Sequence, residues 1–382
     1  MSERLDVRTV PLNEDEPKRI CKASSSASVT DDLLGIIAVR RLLDRGTGEQ
    51  TMQSVVRFFS RETFAGGWRS FATLDSADSR CADLGSSTLD VTEDDFTAIC
   101  SIAPNAGSAR FIVGTKATKP NNDATAASPG QLLLVDFDRN RGNIVVRSHL
   151  KVSDCVYEVV DMGNGLVAAA VGSQVLVAEA SGESLVVKAN WTGAFVAYTL
   201  ARRDDELIIG DALRSMALLR LARSPVVRLE EVARDYSSRY MLAVSPLTAA
   251  TSSSLGDRTG DFVGAESDLN LFTTIKEDVS TDRSMADEFL LAPRGAFHLG
   301  QLVTRLRAGA FAYGQTESNA AQPRVIYTTS AGAIGILAEL SLDLSKLLSE
   351  LERNMAKTDE SASLGHLSQP EYVFVPFLPG RH

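Results

Sequence analysis

The chain has 382 residues, 44% of them hydrophobic and 23% charged, a composition that supports a large buried core without disulfides or metals. A net charge of −10 and a pI near 5.1 argue against a general grip on nucleic acid, which needs clustered Lys and Arg. The four cysteines have no zinc spacing, Met1–Thr9 has no apolar signal-peptide core, and no window holds the roughly 18 apolar residues of a membrane helix.

Along the chain, short apolar runs alternate with Gly, Ser, Asn and Asp. Leu33–Val39, Ser54–Phe59, Gln131–Phe137, Val156–Val160, Leu166–Val171 and Gln174–Ala178 are clear cases. Glu206–Ile209, Met216–Leu221, Asn270–Ile275, Val325–Thr328 and Ala333–Ala338 continue the series. Their length and their Val, Ile, Leu and Phe content predict strands. Some twenty short strands are too many for one sandwich, and a β-propeller absorbs them by repetition. A weak repeat of strand, small turn and strand supports this, with Gly172, Gly210, Gly264 and Gly332 as its expected turn glycines. Ser24–Asp32, Thr115–Pro129 and Thr251–Gly260 read as surface insertions, and Asp278–Ala296 as a charged segment with a short helical stretch. After residue 340 the period changes. Leu342, Leu344, Leu347, Leu348, Leu351 and Met355 predict one amphipathic helix of about four turns, packed on the propeller's own edge.

Chemistry-bearing motifs are absent. The four histidines form no H-x-E or H-E-x-x-H, and no G-x-S-x-G elbow occurs. Gly114-Thr115-Lys116 lacks the upstream glycine of a phosphate loop. The acidic clusters Glu93-Asp94-Asp95, Asp204-Asp205 and Glu230-Glu231 read as solvated loops, the pairs Arg40-Arg41 and Arg202-Arg203 as solvated strand ends. Arg234-Asp235 reads as a local ion pair, and His298 as a satisfied core histidine. No catalytic residue, cofactor or metal is expected. The thiols read as reduced and intracellular.

Several strings are more distinctive. They are Arg8-Thr9-Val10-Pro11-Leu12 before Lys18-Arg19-Ile20-Cys21, Gly210-Asp211 before Arg214-Ser215, and Glu230-Glu231-Val232-Ala233-Arg234-Asp235-Tyr236. Gly264-Ala265-Glu266 with Asn270-Leu271-Phe272, Phe297-His298-Leu299-Gly300, and Gly332 with Ile334-Gly335 complete the set. From about Leu5 to Met355 the chain resembles the third propeller of a family of large scaffolds. That family comprises the DNA damage-binding adaptor of cullin-4 RING ubiquitin ligases, the large cleavage-and-polyadenylation subunit and the third subunit of splicing factor 3b. The Phe-His-Leu-Gly and Arg-Thr-Val-Pro-Leu strings favour the damage-binding branch.

The resemblance implies a seven-bladed propeller over residues 1–340, with or without its closing strand, and a truncated helical segment over 341–382. It implies a non-catalytic scaffold for DNA repair and protein ubiquitination, nuclear and secondarily cytoplasmic. Its partners would be substrate-receptor proteins docked through a helical motif, with nucleic acid reached only through them and no membrane contact. The family's pocket positions fall on Cys155, Tyr157, Val196, Tyr198, Thr199, Tyr240, Leu302 and Thr304. Tyr157 matches in identity, Tyr240 stands where the family often has Trp, and Cys155, Val196, Leu302 and Thr304 match in position only. Aromatic and aliphatic anchors with few charges suit a helix-in-groove site, although each apolar residue could equally serve the propeller core. The cullin contact belongs to the family's second propeller, outside this chain, and the missing early propellers and later helices read as those of a fragment or an incomplete gene model. Two alternatives stand beside this reading: an RNA-processing scaffold of the polyadenylation or splicing type, and a propeller enzyme with carboxylates lining its channel.

Overall fold

A computed structural model describes residues 10, 12, 13, 15–23, 33–43, 45–61, 68–75, 94–105, 108–117, 129–138, 143–247, 262–278, 289–309 and 321–355. They form 23 strands and one helix. The protein is all-β, with its sheets arranged as successive propeller-like blades in which neighbouring strands follow chain order.

The first blade holds β1 (Glu16–Ala23), β2 (Leu33–Leu43), β3 (Gln50–Arg61) and β4 (Trp68–Asp75). The second holds β5 (Asp94–Asn105), β6 (Ser108–Ala117), β7 (Gly130–Asp138) and β8 (Asn143–Val152). The third holds β9 (Val156–Gly163), β10 (Leu166–Val171), β11 (Gln174–Ser181) and β12 (Ser184–Thr192). The fourth holds β13 (Ala197–Arg203), β14 (Glu206–Asp211), β15 (Met216–Ala222) and β16 (Arg228–Arg234). The fifth holds β17 (Met241–Pro246), β18 (Phe262–Glu266), β19 (Asn270–Asp278) and β20 (Phe289–His298). A short parallel pairing, Ala233↔Phe289 and Arg234↔Leu290, joins β16 to β20. The sixth has three strands, β21 (Val303–Ala308), β22 (Ala321–Thr329) and β23 (Ile334–Leu340), and α1 (Leu342–Met355) follows. A seventh blade is not among the described sheets.

The chain divides into two compact units. One comprises Asp6–Leu200 and Leu221–Glu230, the other Met1–Leu5, Ala201–Arg220 and Glu231–His382. Within each, strand alternation sends successive side chains to opposite faces of a blade, so one strand serves two cores. In the first unit Phe111 and Val113 of β6 join Ile37, Phe58 and Phe96, while Ile112 between them joins Leu134, Val156 and Val167. In the second, Phe262 of β18 packs with Met216, Met241, Phe272 and Leu291, and its neighbour Val263 with Leu271, Val303 and Val325. Strands inside a blade are therefore apolar on both faces. All six residues of β10, Leu-Val-Ala-Ala-Ala-Val, are buried, and that is why periodicity there reads as a continuous run.

Several expectations need correction. Asp94 is buried, accepting hydrogen bonds from Thr115 Oγ1 (2.8 Å) and Gln131 Nε2 (3.2 Å), because the described part of the acidic cluster opens β5. Arg203 is not a solvated strand end; its guanidinium lies 4.4 Å from the Phe262 ring and pairs with Glu206. Arg40 pairs with the buried Asp15, whereas Arg41 is exposed near the end of β2, as expected, and pairs there with the exposed Glu16. Arg234 pairs with Glu231, while Asp235 accepts from Ser215 Oγ at 2.6 Å. Gly210 and Gly264 are strand residues and not turn glycines. The turn falls later, at Leu269 (φ 66°) in the second case. At Gly264 a Cβ would lie 2.5 Å from Met241 Cε and 2.9 Å from Phe272 Cζ, so glycine there allows close packing of side chains. Phe289, Leu290 and Leu291, expected near a helical stretch, lie in β20, whose pairing with β19 overrides their propensity. The helix forms where expected, capped by Ser341, but Leu347, Leu348 and Leu351 are exposed, so that face is not packed on the protein's own edge. His298 is satisfied as expected, its Nδ1 lying 2.8 Å from Asn270 Oδ1. Residues 24–32, 118–128 and 248–261, which cover most of the three expected insertions, lie outside the described residues.

Candidate partner-binding site

Seven of the eight residues singled out from sequence, all but Thr199, fall at equivalent places on four blades. Cys155, Val196, Tyr240 and Leu302 each stand immediately before the first strand of a blade. Tyr157, Tyr198 and Thr304 are each the second residue of that strand. In three blades the leading residue is held by the same bond. The Gly172 N–H donates to Cys155 O (3.3 Å), the Ser267 N–H to Tyr240 O (3.0 Å) and the Ser330 N–H to Leu302 O (2.8 Å). Each donor belongs to the turn between the second and third strands of the same blade, so the turn fixes the backbone that presents the side chain.

In the first unit, the Tyr157 and Tyr198 rings lie 5.8 Å apart at 51°, both half-buried, with Val196 half-buried beside them in sequence. Thr199 points the other way: it is 3% exposed and donates to Glu158 Oε2 at 3.2 Å. Cys155 is buried, and burial pushes its thiol up to about 11, Lys116 opposing and Asp154 and Asp95 adding to the shift. It is a small neutral apolar group at neutral pH. The unfolded thiol ionises near 9.0 and therefore loses its proton first, so this stabilisation is complete below pH 9 and declines between about 9 and 11. Urea midpoints are expected to fall over that interval in the parent, and less steeply in Cys155→Ala.

Gly172 adopts φ +54°, and a Cβ there would collide with the Asp154 carboxylate, which itself accepts from the Cys155 N–H at 2.6 Å. Gly172→Ala is expected to cost about 1–2 kcal/mol, measured by urea unfolding, because an L-residue pays that much in the left-handed region.

In the second unit, Tyr240 is 43% exposed, Leu302 half-buried, and Thr304 exposed with its Oγ1 bonded to Thr328. Sequence reasoning missed Leu213 and Tyr236, exposed at 47% and 77%. The bridge Arg214↔Arg239 and the bond from Ser215 N–H to Arg239 O bring the β14–β15 turn beside the connection that carries Tyr236 and Tyr240. No sequence signal marks that juxtaposition, because it depends on a non-local turn contact. Phe195, beside Val196 in the first unit, is likewise exposed.

The buried carboxylates among the described residues are occupied. Asp15 pairs with Arg40 and Arg57, Asp136 with Arg110 and Arg147, and Glu266 with Arg239 and Asn270. Glu158 accepts from Thr199, and Asp211 caps the Leu213 and Arg214 amides. Among the described residues no three His, Cys, Asp or Glu side chains group as metal ligands, and no helix is long and apolar enough to cross a membrane.

This presentation of apolar side chains at blade openings suits protein recognition. The family model described as the CPSF A subunit region matches residues 72–372. The chain belongs to that family. Within it, the chain is 26% identical over 377 residues to DNA damage-binding protein 1 of Oryza sativa subsp. japonica, covering 97% of this chain and 30% of that protein. It is 26% and 23% identical, with the same coverage, to DNA damage-binding proteins 1a and 1b of Arabidopsis thaliana. The chain thus spans 30% of the length of these curated relatives.

Proposed function

We propose that this CPSF A region chain is a non-catalytic scaffold module that docks a helical segment of a partner on the openings of its blades. The partners would be substrate receptors of cullin-4 ubiquitin ligases acting in DNA repair, in the nucleus and secondarily the cytoplasm. The observation that carries the reading is the repeated frame at Cys155, Tyr240 and Leu302, each carbonyl held by its own blade's turn. A blade opening whose backbone is held in this way, as at Tyr240, presents its side chain already ordered and lowers the entropy lost when an amphipathic helix binds. The likeness to DNA damage-binding proteins supports the adaptor branch. In this reading the cullin contact lies outside the chain, and nucleic acid is reached through partners, in keeping with the acidic charge.

The test is affinity capture of the full chain from its source cells, with parent and Tyr240→Ala compared. Receptors of cullin-4 ligases should be retained by the parent and lost with Tyr240→Ala, whose cost is expected at about 2 kcal/mol, near 30-fold in affinity. Thr199→Val should leave capture unchanged, since that hydroxyl is committed to Glu158. Capture of polyadenylation or splicing factors in place of receptors would establish the RNA-processing alternative. Retention that ignores Tyr240 would remove the proposed surface.

A further inference from the structure

The turn between β10 and β11 reaches two blades. Its Gly172 N–H donates to Cys155 O at 3.3 Å, at the opening of the third blade. Its Gly172 C=O accepts from the Ala197 N–H at 2.7 Å, at the opening of the fourth. Ala197 is the first residue of β13 and stands between Val196 and Tyr198. Both backbone polar groups of one residue are therefore committed to two successive openings, which lie in the same compact unit. The turn is tied a further time, Gln174 Nε2 donating to Ser153 Oγ at 2.7 Å. Glycine is required at its head. The φ of +54° is left-handed, and a Cβ there would meet the Asp154 side chain, with Cγ at 2.7 Å and Cβ at 2.8 Å. Asp154 cannot swing aside without giving up the Cys155 N–H, whose bond it accepts at 2.6 Å.

We propose that Gly172 is a positioning residue, which sets the openings of the third and fourth blades against each other so that Tyr157 and Tyr198 meet a partner helix as one surface. The inference rests on the function proposed above and adds to it a residue that acts through others. Tyr157 stands two residues beyond Cys155 and Tyr198 one beyond Ala197, with their rings 5.8 Å apart, so a shift at either bond passes directly to the pair. Apolar packing between blades is non-directional, whereas a backbone hydrogen bond fixes distance and angle.

The experiment compares the full chain as parent, Gly172→Ala and Gly165→Ala. Gly165 is the control because it has a positive φ, +76°, in the same blade but at the other end of β10, where a Cβ would meet Ala180 O at 3.3 Å. In each background a double-mutant cycle of Tyr157→Leu with Tyr198→Leu is read by urea unfolding. Retention of cullin-4 receptors from the source cells is read alongside by quantitative mass spectrometry. In the parent the tyrosines should be coupled by about threefold or more in the unfolding constant. Gly172→Ala should abolish that coupling and lower receptor retention about tenfold. Gly165→Ala should leave both intact. Coupling that survives in Gly172→Ala overturns the proposal, and equal losses in the two glycine variants overturn it in favour of a general effect of stability. Unchanged retention in Gly172→Ala, where Tyr240→Ala loses its receptors, overturns it and leaves the proposed function standing. Retention that ignores Tyr240→Ala as well removes that function and this inference with it.

Discussion

Asp136→Ala is expected to destabilise the protein by about 3–5 kcal/mol, seen as a large drop in the urea midpoint. Asp136 and Arg110 have side-chain exposures of 5% and 4% and are joined by two hydrogen bonds, 2.7 Å from Nε and 3.0 Å from Nη2. Arg110 and Asp136 face each other across β6 and β7. Removing the carboxylate strands a guanidinium away from water, and the desolvation cost of that orphan exceeds the worth of the pair itself. Two controls separate these effects. Arg147, 32% exposed and 3.2 Å from the same carboxylate, should cost less than about 1 kcal/mol when replaced by Ala. An apolar double variant, Arg110→Met with Asp136→Leu, should recover most of the loss, since no charge remains to be buried. A double variant as unstable as Asp136→Ala would show that the pair does more than neutralise itself.

Phe111→Ala is expected to cost a similar amount, about 3–5 kcal/mol, by opening a cavity between the first two blades. Phe111 is fully buried, and its ring stands edge-on to Phe58 with centroids 5.2 Å apart at 67°. A double-mutant cycle with Phe58→Leu should return a coupling of about 0.5–1.5 kcal/mol, the specific part of the aromatic contact. Its neighbour Ile112 faces the other core, with Leu134 and Val167. Ile112→Val should cost only about 0.5–1.5 kcal/mol and should add to Phe111→Leu without coupling, because the blade lies between the two sites. Strong coupling there would mean that the two cores respond as one.

Strand content, the C-terminal helix and the family were legible in the residues themselves. Runs such as Leu166–Val171 and Gln174–Ala178 are bounded by Gly172-Ser173, and their hairpin closes there with Val171↔Gln174 paired. Local propensity and turn chemistry suffice for such units, whose partners are neighbours in sequence. Leu342 to Leu351 declared a helix by period alone. The strings around Gly210, Glu230 and Phe297 pointed to the CPSF A region family, because they combine turn and strand residues in an order that composition does not dictate.

What the sequence could not express is anything decided by residues far apart. The same pair type, Arg with Asp, reads alike at Arg234-Asp235 and at Arg110 with Asp136, yet Arg234 pairs with Glu231 three residues before it, whereas the register of β6 and β7 sets Arg110 opposite Asp136. Asp94 looks like one more acidic loop residue until Thr115 and Gln131, on two other strands, close around it. Gly264 looks like a turn until Met241 and Phe272 are seen against it. Local structure follows from backbone preferences and the spacing of apolar residues, which each segment carries in itself. Burial, pairing and the common frame of Cys155, Tyr240 and Leu302 depend on which strands lie side by side, and that is settled only when the blades fold.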